Sequence, residues 1–492
     1  MTTKEKIVKL IVANLSTSKI EFDVNYPNEK KFGDYASNIA MVLAKKLKKN
    51  PLEIATELVD NINSTPGIKN LIDKIEIVKP GFINFFLSDN YLQSELKSII
   101  KGKDYGQSKV GRNKKVQIEF ISANPTGPLT LANGRGGFLG DALANIMNLT
   151  GYKVDREYLI NDAGNQISIL GKSVLASAKF INDSEDYYRG EYIHEWAGDH
   201  KEITEKYKNN PEQLGEVVAE DLFNNQIRPV IVSGMKIDFD NYFSERKELH
   251  EKDKIKKVID FLKKKKLTYK KDEALWFRTT DYGDDKDRVL ITGDGRFTYM
   301  AVDIAYHLNK FKRGYDQVIN IWGADHGGYV QRMQAGVNAI GYKGQLEIII
   351  MQLVKLMSAG KEVRMSKRKG EYVTMRHLLD LLPLDVIRWF FLMYNSNTHM
   401  LFNLDLAKDK SDKNPVYYVQ YAHARICGIL EQSKKYPIIK TESFNQEESH
   451  ALKVLLRWPE VIQEASVSYQ LNIVTTYALL VAENFHKFYH DF

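Results

Sequence analysis

The sequence holds a single cysteine, Cys427, among 492 residues. One thiol cannot close an internal disulfide, and no Cys/His group has the spacing of a zinc site, so a reducing cytoplasm and no metal-ligand set are expected. Long apolar runs are missing as well. Residues 1–15 alternate charge with apolar side chains and lack the unbroken apolar centre of a signal peptide. Nothing reaches the roughly 20 apolar residues that a membrane-crossing helix requires, and Ile348-Ile349-Ile350-Met351 reads as a short buried strand. There is no internal repeat, no low-complexity tract and no evident Ser/His/Asp arrangement. These absences argue against a disulfide scaffold, a membrane-spanning protein and a repeat array.

What is present points to a multidomain soluble protein. At roughly 150 residues per domain the length suggests about three domains. Hydrophobic residues make up 43% of the chain, enough for ordinary buried cores. Lys plus Arg total 70 against 63 for Asp plus Glu, a net charge of +7 that is compatible with a polyanionic partner.

The first part reads as a small α+β unit. Phe32-Gly33-Asp34-Tyr35 suggests a turn with Gly33 at positive φ. Ile39, Leu43 and Leu47 then recur at helical spacing, and Pro51 opens a further helix. Apolar residues on both sides of Pro80-Gly81 suggest paired strands, and residues 101–115 read as a linker. An alternating pattern follows. Residues 116–120 form a candidate buried strand, 123–133 a Pro/Gly loop, and 134–149 a helix striped by Phe138, Leu139, Ala142, Leu143, Ile146 and Leu149. Strands are also expected at 153–158 and 317–322. Strands alternating with helices imply an α/β fold with a parallel, doubly wound sheet. The basic run 263–266 reads as a solvated helix face. From about residue 378 the pattern is mostly helical, with Trp389, Phe390 and Phe391 as core candidates.

Two segments carry chemistry. The strand–loop–helix at 116–149 would offer free N–H groups at a helix N-terminus to an anion, beyond the carboxyl end of a strand. Gly134, Gly136 and Gly137 would admit a nucleotide to the backbone or, equally, allow tight strand–helix packing. The second segment, Val363-Arg364-Met365-Ser366-Lys367-Arg368-Lys369-Gly370, gathers cations able to neutralise a departing pyrophosphate.

In this order the two segments resemble the two ATP motifs of class I aminoacyl-tRNA synthetases. Residues 119–129, Glu-Phe-Ile-Ser-Ala-Asn-Pro-Thr-Gly-Pro-Leu, resemble the approach to the first motif in the arginine-specific family. The similarity continues through Gly134-Arg135-Gly136, Gly140-Asp141 and residues 297–307, 322–330, 365–368 and 414–425, and so covers nearly the whole chain. The resemblance implies a Rossmann-type catalytic domain at 111–375. Before it would lie a small α+β domain at 1–110 that touches the tRNA elbow. After it would come an all-helical anticodon-binding domain at 376–492, marked by Asp385-Val386-Ile387-Arg388.

The activity implied is that of an arginine–tRNA ligase. It would use ATP with Mg2+ to make arginyl-adenylate, then charge the arginine-specific tRNA, as a cytoplasmic monomer with no membrane partner. By the same resemblance, Thr130, Asn133, Lys367 and Arg368 are the catalytic candidates. Leu131, Ala132, Gly134, Gly136, Asp325, His326, Met365 and Ser366 would bind ATP. Ser122 and Asn124 would hold the amino and carboxylate end of arginine, and Glu245, Tyr299 and Asp303 its guanidinium, a cation suited to carboxylate partners. Tyr299 and Asp303, four apart, would share one face at a helix start.

The chain also departs from the family pattern. The first motif usually carries two histidines and a glycine where Thr130, Asn133 and Ala132 stand. Thr and Asn still donate hydrogen bonds, but the Ala132 methyl would intrude on the adenine, so weakened use of ATP is expected. Arg364 replaces a lysine and Arg368 a serine of the second motif. The chain stops at residue 492, short of the family's usual helical extent, so a shortened last domain is expected. The alternative function is a relative that binds tRNA or arginine without charging.

Overall fold

Five short, largely apolar strands build the central sheet. They are β1 (Lys115–Glu119), β2 (Lys153–Ile160), β3 (Asn241–Ser244), β4 (Gln317–Gly323) and β5 (Leu346–Met351). All pair in parallel, in the order β5-β4-β1-β2-β3. Val116, Ile118, Val318 and Ile319 are fully buried, which is why these strands read as continuous apolar runs rather than alternating ones. The chain runs outward from β1 through β2 to β3, then returns to build β4 and β5 on the other side of β1. The order therefore reverses between β1 and β4, and the crevice beyond their carboxyl ends is where such sheets bind ligands. The computed structural model describes residues 1–15, 20–102, 104–363, 373–436 and 444–491.

This sheet belongs to a unit comprising Lys109–Val416 and Tyr469–Thr475. The helix Leu131–Leu149 lies against the sheet and buries Leu143, Ala144 and Met147, while Phe138 stacks on Phe391 at 5.7 Å. It begins three residues before the start expected from its apolar stripe, because Thr130 caps it. At Gly140 a Cβ would overlap the Phe120 ring, so that glycine serves the close approach of helix to strand. An antiparallel sheet of Thr268–Lys271, Ala274–Phe277 and Arg288–Ile291 and a mixed sheet of Val354–Ser358, Lys361–Val363 and Met400–Asn403 add to the unit. None of these strands, nor β3, stands out in the sequence. Residues 376–416 group with this unit. Phe390 and Phe391 are buried there, as expected, while Trp389 is half-buried. The run 263–266 is exposed, as a solvated face should be.

The second unit comprises Met1–Ser108, Tyr417–Ser468 and Thr476–Phe492. Its antiparallel sheet, in spatial order Val24–Asn25, Tyr35–Ser37, Phe82–Leu87 and Ile72–Val78, is covered by helices. Ile7, Ile39, Ile83 and Phe85 share one core with Leu452 and Leu456 from the C-terminal helices.

Candidate active site

The crevice begins where β1 ends. Ile121 and Ser122 both have positive φ, 65° and 37°, a strained pair for non-glycine residues and a costly one for a β-branched side chain. The strain is held by bonds on both sides: Ser122 N–H donates to Phe120 O at 2.9 Å, and Ser122 Oγ accepts from Leu159 N–H on β2 at 3.1 Å. The hydroxyl proton of Ser122 remains available to a substrate. Asn124 follows on the same loop and donates to Gln166 Oε1 at 2.5 Å.

The loop ends at the first motif. Thr130 is the N-cap of the helix Leu131–Leu149, and Thr130 and Asn133 form a reciprocal capping box. Asn133 Oδ1 accepts from Thr130 N–H at 2.9 Å and from its hydroxyl at 2.8 Å. That leaves the Asn133 Nδ2 amide without a hydrogen bond among the described residues. Leu131 is buried, Ala132 exposed and Asn133 half-buried, while Gly134 and Gly136 are buried against Met375 and Met351. The site thus offers an anion the free N–H groups of a helix N-terminus and a side-chain amide.

Across the crevice, β4 ends in a short turn, Ala324–Tyr329. Asp325 and His326 sit on it, both exposed, with His326 Nε2 3.5 Å from Asp325 Oδ2. Tyr329, at the end of this turn, points the other way and donates to Asp303 Oδ2 at 2.6 Å. Asp303 lies on the second turn of the helix Tyr299–Lys312. Burial, with negative charge on Glu245 and Glu119 nearby, pushes its carboxyl up to about 7. Glu245, itself nearly covered, accepts from His250 Nε2 at 3.0 Å. Its loop is pinned by Asp162, which accepts from Ser244 Oγ at 2.6 Å and from Arg246 N–H at 2.9 Å. Two acids within electrostatic reach of one another, one carrying a raised pKa, form a pocket that a guanidinium would satisfy.

Tyr299 behaves differently from Asp303. It begins the same helix but is 71% exposed, so in this structure the phenol that meets Asp303 is that of Tyr329. The sequence carried Tyr329 inside the family-like segment 322–330 without marking its role. Behind Asp303 a buried polar chain fixes the helix to the sheet. His307 Nδ1–H donates to Asp303 O at 2.8 Å, and Asn320 Nδ2 donates to His307 Nε2 at 2.8 Å. Lys310, fully buried, donates to Asn320 Oδ1 at 3.0 Å and pairs with Glu119. Burial and the nearby Lys310 charge pull His307 down to about 3, so it is neutral. The second-motif candidates Met365, Ser366, Lys367 and Arg368 lie outside the described residues. No three His, Cys, Asp or Glu side chains gather as a metal site among the described residues, and no helix there is long and apolar enough to cross a membrane.

Three family models match successive parts of the chain. Residues 3–87 match the arginyl tRNA synthetase N-terminal domain, 95–385 the catalytic domain of class I (R) tRNA synthetases, and 419–492 the DALR anticodon-binding domain. An arginine–tRNA ligase of Halalkalibacterium halodurans is 42% identical over 509 residues, covering 99% of this chain and 90% of the relative. One of Listeria monocytogenes is 43% identical over 493 residues, covering 96% and 87%. The arginyl-tRNA synthetase structure of Thermus thermophilus shares the fold with a TM-score of 0.75 at 20% identity, over 99% of this chain and 91% of that one. A catalytic-domain match across more than half of the chain, and relatives this similar along nearly all of it, show that the chain belongs to the arginyl-tRNA synthetases.

Proposed function

We propose that the protein is an arginine–tRNA ligase whose first motif works through Thr130 and Asn133. The observation that carries the substrate assignment is the half-buried Asp303 carboxyl, which accepts from Tyr329 and lies within electrostatic reach of Glu245. Arginine enters with its guanidinium on Asp303 and Glu245, and Ser122 and Asn124 orient the other end. Its carboxylate attacks the α-phosphorus of ATP, and pyrophosphate leaves. The Asn133 amide and the helix N-terminus, together with Lys367 and Arg368 of the second motif, stabilise the charge on the phosphates. The 2′-hydroxyl of the tRNA's terminal ribose then attacks the adenylate carbonyl, and AMP leaves. Neither step needs a protein nucleophile; orientation and charge suffice. Mg2+ accompanies ATP as its counter-ion.

Asp325 and His326 would face the adenosine with the exposed Ala132, and Met365 and Ser366 would join from the second motif, while Leu131, Gly134 and Gly136, packed against the protein, seat the helix rather than the nucleotide. Tyr299, at the exposed helix start, closes over the guanidinium when arginine binds. The N-terminal residues 1–110 meet the tRNA elbow, and of the expected anticodon domain 376–492 the helices after residue 416 serve the anticodon, since 376–416 group with the central-sheet unit and include the strand Met400–Asn403. The enzyme acts as a monomer in the cytoplasm, which light scattering and fractionation would test. Nothing in the sequence relatives favours a non-charging relative. Arginine-dependent ATP–pyrophosphate exchange, run with and without cognate tRNA, is the deciding experiment. Exchange with tRNA present is expected; none in either arm, from folded protein that still binds arginine, would overturn the reading.

A further inference from the structure

Arg135 is 2% exposed, yet no carboxylate pairs with it among the described residues. Its guanidinium instead donates to three backbone carbonyls, Gln352 O at 2.6 Å, Asn395 O at 2.8 Å and Thr398 O at 3.0 Å. Burial pulls its pKa down to about 10, so it stays charged at neutral pH. A buried cation without a counter-ion is expensive, and a carbonyl cage that needs all of its planar fork is not a generic packing solution.

The three carbonyls share a location. Gln352 directly follows β5 and leads into the hairpin Val354–Ser358 and Lys361–Val363, whose far end enters the second motif. Asn395 and Thr398 lead into Met400–Asn403, which pairs with that hairpin. Gln352 N–H also donates to Ser396 O at 2.9 Å. The other end of the second-motif segment is tied as well: Met375 N–H donates to Leu129 O at 2.8 Å, beside a bridge between Thr130 and Thr374. The chain after residue 372 is therefore bonded directly to the first-motif stretch through backbone, and the hairpin before residue 364 is tied to it at its base, where Arg135 holds Gln352 O.

We propose that Arg135 is a positioning residue for adenylate formation, a latch that fixes the turns leading into Val354–Ser358 and Met400–Asn403 against the helix that Thr130 and Asn133 cap, and so steadies the stem from which the chain runs on to Lys367 and Arg368. This rests on the proposed roles of those four residues. The latch acts on the step in which pyrophosphate leaves. It does not touch the guanidinium pocket, and the transfer of arginine from a finished adenylate makes no demand on it.

The test compares the full-length wild type with Arg135→Gln and Arg135→Lys, with cognate tRNA present. For Arg135→Gln, kcat of arginine-dependent pyrophosphate exchange should fall at least about 10-fold, with KM for arginine within about two-fold. Transfer from supplied arginyl-adenylate to tRNA should stay within about three-fold of wild type. Arg135→Lys should recover part of the exchange rate, and it replaces the glutamine variant should that one fail to fold. Amide hydrogen exchange supplies an arm that needs no activity: residues 354–363 should exchange faster in the variants while 115–119 do not. Equal losses in both half-reactions, a matching rise in KM for arginine, or unchanged exchange at 354–363 would each overturn the latch. A wild type that neither activates nor charges would instead overturn the functional reading, and the hydrogen-exchange arm would still decide the role of Arg135.

Discussion

Thr130 donates twice to Asn133 Oδ1, from its backbone N–H at 2.9 Å and its hydroxyl at 2.8 Å. The Asn133 backbone N–H returns a bond to Thr130 Oγ1 at 3.4 Å. The two residues that stand where the family usually has histidines thus hold each other. The arrangement fixes the amide's orientation: Oδ1 is occupied and Nδ2 is the end left to donate.

That orientation separates two variants. An aspartate at this third helical position still offers Oδ1 to the Thr130 N–H and hydroxyl and suits a helix N-terminus, so Asn133→Asp should keep the capping box and the melting temperature. It removes the donor and places a negative charge near the phosphates, so pyrophosphate exchange should fall about 100-fold. Thr130→Val should cost about 1 kcal/mol of stability through the lost cap and lower exchange less steeply. Paired melting curves and exchange assays check both; wild-type exchange in Asn133→Asp would remove Asn133 from the mechanism.

Asp303 should make arginine binding pH-dependent near neutrality. Its carboxyl sits at about 7 when buried beside Tyr329 and the Glu245 charge, and a guanidinium prefers it ionised. Arginine affinity should rise from pH 6 to 8 and then level off, with proton release on binding below pH 7, measurable by calorimetry in buffers of different ionisation enthalpy. The stability sign runs the other way. The folded pKa lies above the unfolded value of about 3.9, so the folded state holds the proton more tightly. Relative to Asp303→Asn, the wild type loses stability as pH climbs from about 4, and the loss is complete above about 7. Asp303→Asn should therefore be the more stable protein at pH 8 and should bind arginine poorly at every pH. A flat affinity profile in the wild type would contradict the assignment.

The parallel sheet was legible because its strands are buried on both faces, and Val116–Phe120 or Val318–Ile321 could be little else. The first-motif helix was legible too, except for its first turn, where Thr130 and Asn133 read as lost histidines rather than as a cap. Other parts were hidden for a physical reason. Tyr329 meets Asp303 across 26 residues, a distance that no helical or strand period encodes. The resemblance, with which a spacing of four is consistent, instead put Asp303 with Tyr299, which the helix start leaves exposed. Strands of four residues such as Asn241–Ser244 are too short to show a period. Arg135 stood in the sequence inside the family-like Gly134-Arg135-Gly136 without a role of its own, and the carbonyl cage is what gives it one.

Glu460 should act as a buried acid that stabilises its unit through acceptance rather than charge. It is 7% exposed and accepts from Lys4 N–H at 2.7 Å, from Tyr35 at 3.1 Å and from Tyr26. Burial holds its pKa above the usual carboxylate range. Because the folded pKa is the higher one, the benefit of protonation is full at low pH and is lost as pH rises through that value. Glu460→Gln, which keeps an acceptor without the charge, should gain on the wild type between pH 5 and pH 8 in urea unfolding. Glu460→Ala, which leaves three donors unmet, should cost about 3 kcal/mol at either pH. A glutamine variant that loses ground as pH rises would reverse the sign.

Gly171 and Gly215 should prove the least replaceable glycines of the segment between β2 and β3. They lie on the helices Asn165–Ser177 and Pro211–Leu222, which cross in backbone contact. A Cβ on Gly171 would overlap the Pro211 carbonyl, and one on Gly215 the Ile167 carbonyl. Backbone cannot swing aside as a side-chain tip can, so each alanine must push the helices apart and open the core of Leu170, Val174, Leu214 and Val218. Either substitution should cost about 3 kcal/mol. The pair should cost less than the sum, because the first alanine already separates the helices that the second would separate. Melting curves and limited proteolysis within residues 178–210 would read both effects. Additive losses, or a Gly171→Ala protein that melts with the wild type, would show that the crossing tolerates a methyl group.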